Sequence, residues 1–302
     1  MAGRERRAVC VPLQRRHHRD LRADRRVAVP PHQPPMIAVL AAGIDEVLDA
    51  ASQCASEDDR VTASARRSEE LRRRTLAGRA ALRLLAAWGR GLPLEQASEL
   101  EILRLCPDCG RAHGQPRSAD LALSSSTSAG RVLVAIADPA DAIGVDIETV
   151  PRQLWAGFDA YALHPDERAR VVSDAGQPSG VAARIGTWTA KEAALKVSGT
   201  GLRTEPASLR VDAHPDPEHA GWHRVHGAPS PSSAGSRGPG DPAAPTPSPV
   251  SVRMLAVRGS ARAAVATNRP QGVRLWTMPE LLTELGCLPD TGYDEGELSH
   301  LT

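Results

Sequence analysis

Two short stretches place acids where they could hold a metal ion. In Ile143-Gly-Val-Asp-Ile-Glu148, strand alternation puts Ile143, Val145 and Ile147 on one face and Gly144, Asp146 and Glu148 on the other. Two carboxylates then point the same way, and like charges that close raise one another's pKa unless a cation sits between them. A hard divalent ion with oxygen ligands, Mg²⁺ above all, suits such a pair. Taken alone, the stretch also reads as a solvated strand face ending in acids. The second stretch, Val181 to Gly199, carries an apolar helical stripe at Val181, Ile185, Trp188 and Leu195, with Glu192 at the position between the last two. A carboxylate in a core stripe is costly unless paired, protonated or bound to metal. Lys196 lies one turn on, at i+4, and is its candidate ion-pair partner, while Lys191 projects to another side. An ordinary Glu–Lys helix pair at the stripe's edge is the plainer alternative.

The elements that must position these residues are legible in part. The chain has 302 residues, enough for one or two compact units. Ile37, Val39 and Leu40 suggest a short strand, and Leu71 to Trp88 a long helix with apolar residues on one face and arginines on the other. Gly89 and Gly91-Leu-Pro93 end that helix, and a second short helix is expected over Leu94 to Leu105. Strand signals follow at Asp120 to Leu123, Val132 to Ala137 and Ile143 to Glu148. A helix is expected to begin at His164-Pro165-Asp166-Glu167, where proline and acids occupy the first turn, and another spans Val181 to Val197. Leu209 to Val211, Trp222 to Val225, Val252 to Val257 and Ala261 to Ala266 read as short strands.

The organisation expected is a disordered Arg/Pro-rich arm (1–35), a half mixing helices and strands (36–142), a second such half (143–270) and a featureless tail (271–302). The arm has nine arginines against three acids and no hydrophobic periodicity. We expect it to be incidental, with Met36 a true or alternative start. Within the second half, 228–249 is almost all Pro, Ser, Gly and Ala, and reads as a flexible hairpin extension.

Composition excludes several classes. A net charge of +1, from 37 basic and 36 acidic side chains, argues against a protein whose main task is coating nucleic acid or an anionic membrane. The longest apolar run, Met36 to Ile44, is far short of the about 20 residues needed to span a bilayer. It also lacks a small-residue cleavage site after it, as a secretory signal would have. Five scattered cysteines give no disulfide framework, so a cytoplasmic, reducing compartment is the default. Lys191 and Lys196 are the only lysines in an arginine-rich chain, which marks their helix as a place to look.

Together these residues resemble a known family. Gly144-Val-Asp-Ile-Glu148, then Trp188-Thr-Ala-Lys-Glu-Ala-Ala-Leu-Lys196 and Gly199-Thr-Gly-Leu202, look like the signature of the 4′-phosphopantetheinyl transferases. Length and upstream sequence resemble the larger, surfactin-synthetase-activator type. Arg74-Thr-Leu-Ala-Gly78 is similar to its N-terminal-half helix, His113-Gly-Gln-Pro116 to its adenine-side loop, and Leu123-Ser-Ser-Ser-Thr-Ser128 with Gly130 to its Ser-His-Ser strand end. The resemblance covers roughly 38 to 268, interrupted by the 228–249 insertion. It implies an α/β (α+β) monomer of two pseudo-duplicated halves with the active site in the cleft between them. The implied reaction is that of a holo-acyl-carrier-protein synthase: 4′-phosphopantetheine moves from coenzyme A onto a serine of an acyl or peptidyl carrier protein. Adenosine 3′,5′-bisphosphate leaves. The implied metal ligands for Mg²⁺ are Asp146, Glu148 and Glu192. Glu192 and Lys196 are the implied catalytic groups, with coenzyme A contacted by Arg74, Gln115, Pro116, Ser126, Thr127, Lys191 and Lys196. Glu167, where the family often has a helical Glu, reads equally as structural or as lying near the active site. Two departures stand out: Thr127 replaces the family's usual His, and Gln115 the usual Lys of a Gly-Lys-Pro loop.

Cys106-Pro-Asp-Cys109 with His113 also has the spacing of three zinc ligands, but a structural zinc wants four and no second pair lies nearby. Related transferases carry the same Cys-x-x-Cys-Gly-x-x-His-Gly-x-Pro pattern, which favours a shaped adenine loop. Two rivals to the transferase remain: a Mg²⁺-dependent phosphohydrolase using the same acids, and a zinc-stabilised nucleic-acid-binding module using the basic arm. Near-zero net charge counts against the last.

Overall fold

The computed structural model describes residues 36–106, 109–171, 178–199, 201–229 and 249–287. The basic arm over 1–35 and nearly all of the insertion over 228–249 lie outside the described residues.

Alternation in two apolar strands sets up the layers. β1 (Met36–Gly43) and β3 (Arg131–Ala137) read as nearly continuous hydrophobic runs because both of their faces are covered. Ile37, Val39, Leu133, Ala135 and Ala137 turn one way, while Ala38, Leu40, Val132, Val134 and Ile136 turn the other. β1 pairs antiparallel with β3, which pairs antiparallel with β2 (Ala122–Ser128). On its other edge β1 pairs in parallel with β9 (Gly272–Trp276), giving the order β2-β3-β1-β9. The second sheet is antiparallel throughout, in the order β4 (Ile143–Thr149), β8 (Ala261–Thr267), β7 (Val250–Leu255), β6 (His223–His226), β5 (Arg210–Val211).

The two sheets pack face to face. Ile37, Val39, Leu133 and Ala135 meet Ile143, Val145, Ile147, Ala263 and Val265 in one core cluster. The outer face of the first sheet is covered by α1 (Ile44–Ala51), α3 (Glu69–Gly89) and α7 (Met278–Glu284). That of the second is covered by α6 (Pro178–Ser198), whose Ala190, Ala193, Ala194 and Leu195 pack on Val225, Val250, Val252, Ala264 and Ala266. The order of layers is therefore helices, sheet, sheet, helix, a mixed α/β architecture. Three shorter helices, α2 (Glu57–Ser64), α4 (Phe158–Ala162) and α5 (Pro165–Val171), complete it. Among the described residues no helix is long and apolar enough to cross a membrane.

Three expectations are revised. The helix foreseen over Leu94 to Leu105 is a single 3₁₀ segment, Leu94–Glu99. The Arg83 guanidinium takes up the carbonyls of Ala97, Ser98 and Leu100 that a continuing helix would have used internally. The strand foreseen to end at Leu123 runs on to Ser128, because the serine run pairs with β3 and its hydroxyls find partners on β4. Residues 272–284, read as featureless, supply β9 and α7, which close one edge of the first sheet and cover its outer face.

α6 lies so close to β4 that a Cβ added at Gly144 would sit 2.0 Å from the Ala193 carbonyl oxygen and 2.9 Å from Lys196 Cβ. Gly144→Ala should destabilise the protein by about 1–3 kcal/mol or more in urea denaturation, because the helix must lift off the strand. Gly272→Ala, with nothing within 4 Å of its Cβ position, should stay within about 0.5 kcal/mol of wild type. Equal effects at the two glycines would refute the close-contact account.

Candidate active site

β4 is an edge strand of its sheet, and the strand running beside its open edge is β2 of the other sheet. Serine hydroxyls, in place of a backbone ladder, join the two. Ser124 Oγ accepts from the Val145 amide at 2.9 Å and Ser128 Oγ from the Thr149 amide at 3.4 Å. Ser126 Oγ donates to Asp146 Oδ1 at 2.7 Å, and Ser128 Oγ donates to Glu148 Oε2 at 2.8 Å. Alternate residues of β2 therefore orient both acids of the Asp-x-Glu pair. The period-two spacing of Ser124, Ser126 and Ser128 was a readable signal for this, but a serine run is a weak strand signal by itself.

Glu192 of α6 faces the same pair. Its carboxyl is pushed up to about 7, first by burial and then by the charge of Asp146, with Glu148 adding to the effect and Lys196 opposing it. Burial and then the Asp146 charge also raise Glu148, against the pull of Ser128, Lys196 and Arg74. Asp146 is buried, and Asp146 Oδ2 and Glu192 Oε1 are both buried without a hydrogen-bond partner among the described residues. Three crowded carboxylates, with Glu148 and Glu192 raised by burial and by the Asp146 charge and with unsatisfied buried oxygens on Asp146 and Glu192, form a donor set suited to a hard divalent cation. Their oxygens are less tightly gathered than the ligand atoms of Cys106, Cys109 and His113, all of which lie within 4.8 Å of one another.

The two lysines part company. Lys196 Nζ does not pair with Glu192 along the helix; it crosses to β4 and donates to Asp146 Oδ1 at 2.7 Å and to the Val145 carbonyl at 2.9 Å. Lys191, read as a coenzyme A contact, has no exposed surface. It donates to Glu167 Oε2 at 2.6 Å and to the Ala162 carbonyl at 2.8 Å. Glu167 in turn accepts from the amides of His164 and Val211, both at 2.8 Å. Lys191 and Glu167 thus knit α5, α6 and β5 together, and the structure does not bring Lys191 to the acids. The physical reason is helical phase: one residue before Glu192 is about 100° round the helix.

The phosphate and adenine candidates lie on α3, on β2 and in the loop before β2. Arg74 on α3 donates through Nε to Thr127 Oγ1 at 2.7 Å and through a second nitrogen to the Thr127 carbonyl. Its charge also lowers the Glu148 pKa, so it stands within reach of the acidic group's field. Ser126 and Thr127, grouped as one ligand contact from sequence, point to opposite faces of β2: Ser126 to Asp146, Thr127 to Arg74. Gln115 reaches across from its loop, donating to the Lys196 carbonyl at 3.0 Å, and Pro116 beside it is buried. A cavity of about 550 Å³ on the other side of α6, lined by Ala183, Gly186 and Met254 among others, contains none of the acids.

The mixed two-sheet α/β fold, with acids from a strand and a helix meeting at its seam, defines a candidate metal-assisted enzyme. Residues 142–237 match the model of the 4′-phosphopantetheinyl transferase superfamily, and the mixed α/β architecture is consistent with the fold of that superfamily. The matched span holds Asp146, Glu148, Glu192 and Lys196, and such a match implies a transferase that handles phosphopantetheine. Comparison with curated proteins finds no match.

Raised carboxyl pKa values have a stability consequence. Glu192 is near 4.5 in the unfolded chain and about 7 in the fold, so its contribution is full below about pH 4.5 and is lost as pH rises through 7. In chelator-treated protein, Glu192→Gln should therefore raise the melting temperature at about pH 8 and have progressively less effect towards about pH 5. A pH-independent difference, or destabilisation at alkaline pH, would contradict the crowding of the three acids.

Proposed function

We propose that the protein transfers 4′-phosphopantetheine from coenzyme A to the serine hydroxyl of an apo acyl or peptidyl carrier protein, with Mg²⁺, releasing adenosine 3′,5′-bisphosphate. The reading rests on one observation above all: Asp146, Glu148 and Glu192 face one another beside Lys196, inside the span that matches the transferase superfamily.

In this reading Asp146, Glu148 and Glu192 hold the Mg²⁺, which when bound neutralises pyrophosphate charge as a Lewis acid and template. The serine oxygen forms a bond to the β-phosphorus of coenzyme A, and the bond from that phosphorus to the bridging oxygen breaks. Glu192 is the group placed to take the serine proton directly or through a water. Lys196 supplies a compact positive charge to the departing phosphate. Arg74 offers a guanidinium fork for the 3′-phosphate, exchanging its bonds to Thr127 for bonds to the ligand. Thr127 brings a hydroxyl but no charge, so Arg74 carries more of that contact here. Ser126 and Ser128 hold the two strand acids in place, and Lys191 serves the fold. Residues 36–142 and 143–270 act in this reading as two related halves with the site between them.

The deciding experiment incubates apo carrier proteins of fatty-acid, polyketide and peptide synthases with coenzyme A, Mg²⁺ and this protein, and follows intact mass. At least one carrier should gain the phosphopantetheine mass. Asp146→Ala and Glu192→Gln should each slow the gain by about 100-fold or more. Lys196→Ala should lower kcat more than it raises KM for coenzyme A. Phosphate release without carrier modification would favour the hydrolase instead, and full activity in both acid variants would remove the mechanism.

A further inference from the structure

The loop between the 3₁₀ segment Leu94–Glu99 and β2 contains a cluster that the transfer reaction leaves unused. Among its described residues, backbone hydrogen bonds tie the two arms together. Leu103 and Arg117 bridge its base with two backbone hydrogen bonds of 2.9 and 2.8 Å, and the Gly114 amide donates to the Arg104 carbonyl at 3.0 Å. The Cys106 amide donates to the Arg111 carbonyl at 2.9 Å, and the Gly110 amide to the Cys106 carbonyl at 2.9 Å. Gly110 has φ of +68°, a conformation that side chains rarely adopt and that turns the chain back immediately after Cys109. At the neck, a Cβ on Gly114 would lie 2.3 Å from the Leu105 carbonyl oxygen, so the two arms are in close contact.

This path brings the sulfurs of Cys106 and Cys109 and a ring nitrogen of His113 within 4.8 Å of one another. Ligands on a tetrahedral zinc ion stand about 3.3–3.8 Å apart, from metal–ligand lengths of about 2.0–2.3 Å, so small rotations close the set. Cys106 is buried while Cys109 and His113 are exposed, which leaves one side of the set open to solvent. We propose that Cys106, Cys109 and His113 bind one zinc ion per chain, with water in the fourth position. Two thiolates and an imidazole select a borderline-soft ion over Mg²⁺. Arg111 donates to Cys109 Sγ at 3.4 Å, and His113 Nε2 lies 2.9 Å from it. Hydrogen bonds from Arg111 first, and then from His113, lower the Cys109 thiol to about 6, which favours the thiolate form that metals bind. The ion would pin the loop that carries Gln115 onto the Lys196 carbonyl. The inference is independent of the transfer reaction.

The full-length reduced protein, stripped with chelator, is titrated with Co²⁺ and then Zn²⁺. One Co²⁺ per chain should bind with an intense thiolate-to-metal absorption and strong four-coordinate visible bands, and Zn²⁺ should displace it. Cys109→Ser and His113→Ala, both at exposed positions where folding is not at stake, should each weaken Zn²⁺ binding at least about tenfold. Asp216→Ala, in the separate Asp216, Glu218 and His219 group, should leave binding unchanged. The proposal falls if no thiolate band appears, if the band survives Cys109→Ser, or if Asp216→Ala removes the metal. It falls equally if the reduced protein, with Cys106 and Cys109 verified as free thiols, takes up no metal.

Discussion

At Gly144 the carbonyl of Ala193 comes so near the strand that no side-chain carbon fits between them, and α6 is thereby held along the strand face that carries Asp146 and Glu148. Glu192, one residue before Ala193, is drawn with it into the same narrow space. Burying three like charges together is unfavourable, and the molecule offsets it only in part: Lys196 and Ser126 serve Asp146, and Ser128 serves Glu148. Glu192 receives no such partner on Oε1, and its carboxyl accordingly titrates near neutrality. A site left electrostatically incomplete in this way is typical of places where a cation and a proton transfer are accommodated.

The join between the two sheets follows from the same need. A backbone ladder between β2 and β4 would satisfy amides but leave the acids without orientation. Hydroxyls of Ser124, Ser126 and Ser128 do both, accepting from the β4 amides and donating to the carboxylates. The other face of β2 meets α3 through Thr127 and Arg74. One strand of the first sheet thus touches both the acids and Arg74, so movement between the two sheets would change the geometry of both. Gln115 adds a second tether, from the cysteine-containing loop to the end of α6.

Much of this was legible beforehand, and the line between what was and what was not has a physical basis. The sequence alone determined which residues carry charge to the site and on which face of each element they stand. Strand period assigned Asp146 and Glu148 to one side of β4, and helical period assigned Glu192 to the covered stripe, because both depend only on local backbone geometry. Tertiary structure decided the partners. Lys191 and Lys196 are chemically identical and five residues apart, yet one is sealed against Glu167 and the other rests on Asp146. Adjacent Ser126 and Thr127 serve opposite faces, and β9 returns from the chain's end to flank β1. Each of these depends on contacts between segments remote in sequence, and no local pattern encodes which distant group will fill the space a side chain points into.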